Sequence, residues 1–185
     1  MILKKYDLLF RICIFADNNV GKKLLTNKFL KCKDDKRLDT SSILGIKFNI
    51  KDIEINSKII RLMIWEWSLE NEIKKLIPYF LERTNGVLFL YDITNTETLY
   101  KLTEWAAMIK ENIKEGIPML LVGNKLDLEE NREVSEEQVE KFKEDYNISS
   151  SIEISAKTGE NVEEMFKELT RMILNSPDVI KRLKE

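Results

Sequence analysis

The sequence contains no histidine, which excludes every mechanism that depends on an imidazole group. Its two cysteines, Cys13 and Cys32, are too few for a disulfide framework and suit a reduced, cytoplasmic protein. No apolar run approaches the roughly 20 residues that a membrane-spanning helix needs, and we expect no signal peptide. Ile2 excludes N-myristoylation and the final residues offer no cysteine for prenylation, so we expect no lipid anchor.

Charges of both signs are spread along the chain. The 30 Lys and Arg residues and the 32 Asp and Glu residues leave a net charge of −2, so we expect no nucleic-acid surface. A length of 185 residues suits one domain with a sizeable core. We therefore predict a monomeric protein with a single domain over residues 1–185. Its core is expected at about residues 6–174, followed by a short charged C-terminal tail.

Polar residues follow a run of apolar residues in the stretch VGNKLDL, residues 122–128. The run favours a buried strand that ends at Gly123 and presents Asn124, Lys125 and Asp127 at its carboxyl end. Ligands of open α/β sheets bind at that end. A carboxylate there could accept both N–H groups on one edge of guanine, the amide could meet the base or join neighbouring loops, and the lysine stem could cover the base. The alternative is a solvated turn after a strand.

Apolar patterns alternate between strand type and helix type along the chain. Strand patterns lie at about residues 6–15, 87–91, 119–122 and 152–154, and residues 46–64 predict a hairpin with a bulge near Lys51 and Asp52. Helical spacing occurs at about residues 24–29, 73–81, 99–113, 135–142 and 162–173, with Thr94 or Thr96 capping the third helix and a capping box at Ser135. Residues 30–45 are expected to form a loop, and Pro177 to interrupt the last helix. This alternation predicts an α/β fold with a mostly parallel sheet.

The first strand is followed by a turn that carries Gly21 and Lys22 and then by a helix. Strand, Gly-Lys turn and helix are the layout of a phosphate-binding loop. Residues 16–23 are therefore predicted to hold a phosphate group.

The motifs YDLLFRICIFADNNVGKK, IEINSKIIRLMIWEW, GVLFLYDIT, LLVGNKLDL and EISAKTGENVEEMF occur in the order and spacing of one family. Over residues 6–173 the chain resembles a small GTPase of the Ras superfamily and is similar to Rab proteins. The resemblance implies a P-loop NTPase fold with a six-stranded, mostly parallel sheet, one antiparallel edge strand and five helices. It also implies GTP or GDP as ligand, and effector or regulator proteins as partners through the switch regions in a signalling role.

The resemblance implies a role for each residue around the nucleotide. Lys22 would reach the β- and γ-phosphates, backbone N–H groups of residues 19–23 would hold the β-phosphate, and the Ala156 N–H would meet the guanine O6. The implied nucleotide-binding set is Asp17, Asn18, Asn19, Val20, Gly21, Lys22, Lys23, Leu24, Asn124, Lys125, Asp127, Leu128, Ser155, Ala156 and Lys157.

The phosphate side departs from the family pattern, whereas the base side keeps it. Ala16 replaces the first glycine of the phosphate loop, which is tolerable if its φ is negative. Lys23 replaces the Ser or Thr that would bind Mg²⁺, and Glu66 replaces the Asp that would orient a metal-bound water, so Mg²⁺ is doubtful. Of the first-switch residues 40–43, either Ser41 or Ile43 stands where the family has a threonine, and the spacing leaves both open.

The second switch departs further. Leu69 replaces the glycine whose N–H would meet the γ-phosphate, and Glu70, which cannot donate a hydrogen bond, replaces the water-orienting glutamine. Two placements of Lys23 follow: an internal ion pair with Glu66 in place of the metal, or a side chain in solvent. Trp67 has two interpretations. It packs against the neighbouring helix, or it serves function by covering the phosphates or anchoring a partner.

Three functions follow from this pattern. A pseudo-GTPase that binds nucleotide with weak or absent Mg²⁺-dependent hydrolysis is the favoured hypothesis. The alternative is an active GTP-hydrolysing switch, aided by an activating partner, which Lys23, Glu66, Leu69 and Glu70 oppose. A scaffold that binds no nucleotide is the third hypothesis, and the complete set of base contacts opposes it.

Overall fold

The computed structural model describes residues 6–30, 40–43, 46–67, 77–112 and 116–184. Its strands are β1 (Leu8–Ala16), β2 (Thr40–Ile43), β3 (Ile46–Ile55), β4 (Lys58–Trp67), β5 (Gly86–Asp92), β6 (Met119–Asn124) and β7 (Ser150–Glu153). Its α-helices are α1 (Lys22–Leu30), α2 (Ile77–Leu81), α3 (Thr96–Asn112), α4 (Glu136–Tyr146), α5 (Val162–Leu174) and α6 (Pro177–Lys184), with a 3₁₀ helix at Leu126–Asn131.

The strands form one sheet in the order β2-β3-β4-β1-β5-β6-β7. The pairs from β4 through β7 are parallel, whereas β3 runs antiparallel to both β4 and β2. The predicted fold class is confirmed by the six strands β1 and β3–β7. The four-residue β2 extends the sheet edge from a stretch that was expected to be part of a loop.

The β3–β4 hairpin is regular where the sequence predicted a bulge. Its pairing runs without interruption from Ile46 opposite Trp67 to Ile55 opposite Lys58, so that prediction is wrong. Asn49 and Lys51 are polar but are buried on the same face as Ile53 and Ile55. The sequence therefore does not show the regular alternation of apolar and polar residues that a strand usually has. Burial of the Lys51 ammonium is compensated because Nζ donates to the Phe29 carbonyl at 2.6 Å and lies 4.6 Å from the Phe29 ring centre.

Two apolar layers cover the sheet. On one face α1 and α5 pack through Leu25, Phe29, Met165, Phe166 and Leu169. On the other face α3 and α4 pack through Leu99, Leu102, Trp105, Val139 and Phe142. The helices therefore cover both faces and leave the carboxyl ends of the parallel strands accessible to a ligand.

The helix starts show how local sequence sets these elements. The predicted capping box is confirmed, because Ser135 Oγ accepts from the Gln138 N–H at 3.3 Å and Gln138 Oε1 accepts from the Ser135 N–H at 2.8 Å. The predicted threonine cap of α3 is wrong. Asn95 lies directly before the helix, and its side chain accepts the Glu97 N–H at 3.0 Å.

The chain continues as α6 where a charged tail was expected after Pro177. Proline suits the first position of a helix, where its missing N–H costs no intrahelical bond. Val179 is buried in the same apolar cluster as α5, so this segment belongs to the core. Among the helices described, none is long and apolar enough to cross a bilayer.

Candidate functional site

The candidate site lies at the edge of the sheet where β1, β5 and β6 have their carboxyl ends. The loop between β1 and α1 (residues 17–21), the end of β6 with the residues after it (124–128) and the residues after β7 (155–158) come together there. Because parallel strands present their carboxyl ends at one sheet edge, residues far apart in sequence share this site.

Asn124 connects all three of these segments. Its side chain is almost fully buried, with 1% exposure. Nδ2 donates to the Val20 carbonyl at 2.7 Å, and Oδ1 accepts the Ala156 N–H at 2.9 Å. A Cβ atom on Gly21 would lie 2.5 Å from Nδ2, so the backbone approach at Gly21 is as close as a glycine permits.

Asp127 is held as an ionised acceptor. The Ser155 hydroxyl donates to its Oδ1 at 2.6 Å, and Lys157 Nζ lies 3.5 Å from Oδ2. These contacts, the Ser155 hydrogen bond above all, lower the pKa of the Asp127 carboxyl. Ser155 Oγ in turn accepts the Thr158 N–H at 3.0 Å, which fixes the hydroxyl.

Lys125 takes a left-handed backbone conformation with φ +72°. Its ammonium group pairs with Asp92, which is buried at the carboxyl end of β5. Asp92 Oδ1 also accepts the N–H and hydroxyl of Thr94 at 2.9 and 2.7 Å. Asp92 was not among the site residues predicted from sequence, although a carboxylate ending an apolar strand is a usable signal. Leu128, in the 3₁₀ helix, is 37% exposed.

The phosphate loop forms a tight turn from β1 into α1. Val20 is fully buried, Gly21 has φ +100°, and the Leu25 N–H donates to the Gly21 carbonyl at 2.9 Å as α1 begins. Asn19 also has a positive φ, of +65°, whereas Ala16 does not, so alanine is accommodated there as expected. Asn18 is exposed at the tip of the loop.

Asp17, at the start of the phosphate loop, forms an ion pair with α3. Its Oδ2 lies 2.9 Å from the ammonium group of Lys101 in α3, and its Oδ1 accepts the Asn18 N–H at 2.8 Å. Lys101 also pairs with Glu97 at 3.0 Å. The phosphate loop is thereby attached to α3 by an ion pair that was not predicted from sequence.

Lys22 points towards the end of β4, where its ammonium group donates to the Trp67 carbonyl. Burial lowers the pKa of Lys22, and the charges of Glu66 and Asp17 partly offset that effect. The side chain is therefore a partly desolvated cation beside the phosphate loop.

The predicted ion pair between Lys23 and Glu66 is wrong. Lys23 is exposed on α1, and no ion pair joins it to another described residue. Glu66 is 6% exposed, its Oε1 accepts from Asn49 Nδ2 at 2.5 Å, and it lies 3.7 Å from Lys47 Nζ. Lys23 therefore faces solvent, as the alternative proposed, because donors from β3 already occupy Glu66. Leu24 beside it is 49% exposed.

Trp67 is part of the core and does not lie over the phosphate loop. It is 1% exposed, and its ring is within 7° of parallel to Phe15 at 6.3 Å between centres. Trp67 is therefore packed in the protein core, and the interpretation that it covers the phosphates or anchors a partner is wrong for this structure.

Several predicted residues lie outside the described part of the chain. Leu69 and Glu70 are among them, so their roles stay predictions. Thr40, Ser41, Ser42 and Ile43 are described as the backbone of β2 only, which leaves the first-switch assignment open.

Comparison with known proteins gives consistent matches over nearly the whole chain. The family model described as "Ras family" matches residues 11–175. Rab-13 of Rattus norvegicus is 35% identical over 171 residues, covering 92% of this chain and 83% of that protein. Rab-8B of Homo sapiens and Rab-8 of Diplobatis ommata are each 34% identical over 92% of this chain, covering 81% and 80% of their own lengths.

Proposed function

The chain belongs to the Ras family of small GTPases and is Rab-like, and from this premise we propose that it binds guanine nucleotide as an atypical switch or pseudo-GTPase with weak or absent Mg²⁺-dependent hydrolysis. GTP and GDP are the proposed ligands. Effector or regulator proteins that contact the switch regions are the proposed partners of a cytoplasmic, monomeric signalling protein.

The observation that carries the proposal is the hydrogen-bonded connection around Asn124. The amide holds the Val20 carbonyl on one side and the Ala156 N–H on the other, so the base and phosphate segments are positioned before any ligand arrives. Pre-positioned polar groups reduce the ordering cost of binding. A chain that kept the fold only as a scaffold would have no need for this buried polar network.

The base end of the site presents groups suited to guanine. The ionised Asp127 carboxylate, 13% exposed, would accept the N1–H and the 2-amino group. The Lys125 stem would lie across the base, and Ser155, Ala156 and Lys157 would close over it. The Ala156 N–H, which donates to Asn124 in this structure, would be shared with the guanine O6.

The phosphate end presents a cation and backbone donors. Lys22 would bind the β- and γ-phosphates, and the N–H groups of residues 19–23 would surround the β-phosphate at the start of α1. The whole segment of Asp17, Asn18, Asn19, Val20, Gly21, Lys22, Lys23 and Leu24 forms this end of the proposed site.

Hydrolysis is proposed to be weak because of residue chemistry. Catalysis of phosphoryl transfer depends on metal charge and on an oriented water. The Lys23 side chain has no oxygen that could bind a metal. The Glu70 carboxylate, which replaces the water-orienting glutamine of the family, cannot donate a hydrogen bond. The alternative, an active switch aided by an activating partner, is supported by the membership of the Ras family.

Two measurements on the purified protein test the proposal. Denaturation followed by chromatography identifies any co-purified nucleotide, and single-turnover [γ-³²P]GTP hydrolysis is followed with Mg²⁺ and with EDTA. Bound GDP or GTP with negligible turnover supports the proposal, whereas turnover at the rate of an ordinary small GTPase supports the active switch. Absence of nucleotide, together with no binding of added GDP, contradicts nucleotide binding.

A matched ligand pair tests the base contacts directly. IDP lacks the 2-amino group of GDP, so one of the two hydrogen bonds to Asp127 is lost. We expect IDP to bind about tenfold or more weakly, because the unpaired carboxylate oxygen is left facing the base. In the Asp127→Asn variant this preference for GDP over IDP should disappear.

A further inference from the structure

The residues near Glu66 do not fit the Mg²⁺ ion that members of this family bind with their nucleotide. Lys23 supplies an ammonium group where the family has a metal-binding hydroxyl. Glu66 Oε1 already accepts a hydrogen bond from Asn49 Nδ2 at 2.5 Å and faces Lys47 Nζ at 3.7 Å. Within the described ranges, no group of three or more His, Cys, Asp or Glu residues could hold a metal.

The strand register brings these three side chains together. Lys47 in β3 lies directly opposite Glu66 in β4. Asn49 follows two residues later on the same face of β3 and is buried, with 5% exposure. Directly opposed residues of antiparallel strands have their Cβ atoms about 4.5–5.5 Å apart, so the contact is a consequence of the hairpin pairing.

The charges in this group add up to a site for an anion. Lys22 and Lys47 contribute two positive charges and Glu66 one negative charge, which leaves one net positive charge. The Asp17 carboxylate, whose charge also acts on Lys22, is balanced by its ion pair with Lys101. A carboxylate as buried as Glu66 would repel a nearby phosphate if it were unpaired. Its hydrogen bond to Asn49 and its ion pair with Lys47 remove that repulsion without a soluble cation.

We propose that Lys47 neutralises the Glu66 carboxylate, which Asn49 also holds, in place of the metal-bound water that the family's Asp orients, so that guanine nucleotide binds to this chain without Mg²⁺. This inference rests on the proposed nucleotide binding. It also assigns Lys47 and Asn49 as positioning residues of the phosphate end of the site.

The test measures dissociation of a fluorescent GDP, mant-GDP, from the full-length purified protein. After addition of excess unlabelled GDP, the release rate is recorded in excess Mg²⁺ and in excess EDTA. The two rates should agree for the unaltered protein. Release that is about tenfold or more faster in EDTA would overturn the inference, because the metal would then contribute binding free energy.

Lys47→Met removes the charge and keeps the aliphatic stem. We expect release to be about tenfold faster than for the unaltered protein, equally in Mg²⁺ and in EDTA, since Glu66 becomes an unpaired carboxylate. Lys58→Met is the matched control, because Lys58 is exposed at the other end of the same hairpin, and its release rate should not change. An unchanged rate for Lys47→Met, with the thermal unfolding temperature also unchanged, would overturn the inference.

A double variant separates charge compensation from general loss of structure. In Glu66→Gln the need for a positive charge at residue 47 disappears, so adding Lys47→Met to Glu66→Gln should change the release rate by far less than Lys47→Met alone. Additive effects would overturn the assigned role of Lys47. If mant-GDP binds to none of the proteins in either buffer, the proposed nucleotide binding itself fails, which is distinct from binding that depends on Mg²⁺.

Discussion

The amide of Asn124 donates to the carbonyl of Val20 at 2.7 Å, which joins two loops separated by 104 residues of sequence. The same side chain accepts the Ala156 N–H at 2.9 Å. Both hydrogen bonds are buried, so water cannot replace Asn124 as the partner of the Val20 carbonyl or the Ala156 N–H. Asn124 therefore supports the fold of the site.

We expect Asn124→Ala to destabilise the nucleotide-free protein by about 2–6 kcal/mol, because a buried carbonyl and a buried N–H each lose their partner at about 1–3 kcal/mol. Urea unfolding of the nucleotide-free protein measures this. Asn131→Ala, at an exposed position of the neighbouring 3₁₀ helix, serves as control and should stay within about 0.5 kcal/mol. Equal stabilities of the two variants would show that the network does not support the fold.

Gly21 and Gly116 are matched glycines whose replacement by alanine can be compared. Both have positive φ, +100° and +87°, but an added Cβ at Gly21 would lie 2.5 Å from Asn124 Nδ2, whereas at Gly116 no atom of the described chain lies within 4 Å. Gly116→Ala should cost only the backbone strain, about 1–2 kcal/mol. Gly21→Ala should cost about 2–4 kcal/mol, since the overlap adds to the strain.

Urea unfolding of both alanine variants measures the difference. Only Gly21→Ala should also weaken GDP binding, because the steric overlap displaces Asn124. The expectation fails if the two variants lose the same stability.

The residues of the proposed base side could be predicted from sequence because they form short, contiguous segments. Asn124, Lys125 and Asp127 follow one apolar strand, and the structure brings Asn124 next to Ala156 and Asp127 next to Ser155. The strand and helix patterns, dominated by apolar periodicity, likewise predicted the sheet and its covering helices.

The charge partners of the site were not predictable in the same way. Lys47 reaches Glu66 only through the register of the hairpin, and polar Asn49 and Lys51 on the buried face made that register look bulged. The Lys23–Glu66 pair was inferred from family positions, which do not reveal that β3 supplies other donors. Long-range ion pairs such as Asp17 with Lys101 leave no periodic signal in a single sequence.

Lys101 is predicted to restrain the phosphate loop. Its ammonium group, on a side chain 48% exposed, holds Asp17 at 2.9 Å. Because exposed ion pairs are weak and screened by salt, we expect Lys101→Met to leave the thermal unfolding temperature unchanged. Release of mant-GDP should become about twofold to fivefold faster at low salt and approach the unaltered rate at high salt.

Two further variants test that reasoning. Asp17→Asn should have the same effect as Lys101→Met, and the double variant should be no worse than either single variant, because both remove one interaction. Lys110→Met, an exposed lysine near the end of the same helix, should have no effect. An equal effect of Lys110→Met would mean that the net charge of α3, and not the Asp17 contact, controls release.

Asp127 is predicted to give the protein a specific dependence on acid pH. The Ser155 hydrogen bond and the Lys157 ammonium lower the pKa of its carboxyl in the folded state below the value of about 3.9 for an unfolded chain. A lowered folded pKa stabilises the native state fully above the unfolded value, and this contribution is lost as the pH falls through the folded pKa. Asp127→Asn should therefore be less stable than the unaltered protein at neutral pH, with a difference that shrinks below about pH 4.

Urea unfolding of the nucleotide-free protein between about pH 7 and pH 3 measures that difference. Asp145→Asn is the control, since Asp145 is an exposed carboxylate in α4, and its difference from the unaltered protein should not vary with pH. Ser155→Ala removes the main donor to Asp127 and should itself show a smaller stability loss in acid, because the folded pKa then lies nearer the unfolded value. A difference between Asp127→Asn and the unaltered protein that stays constant down to pH 3 would mean that the carboxylate makes no net favourable contact in the native state.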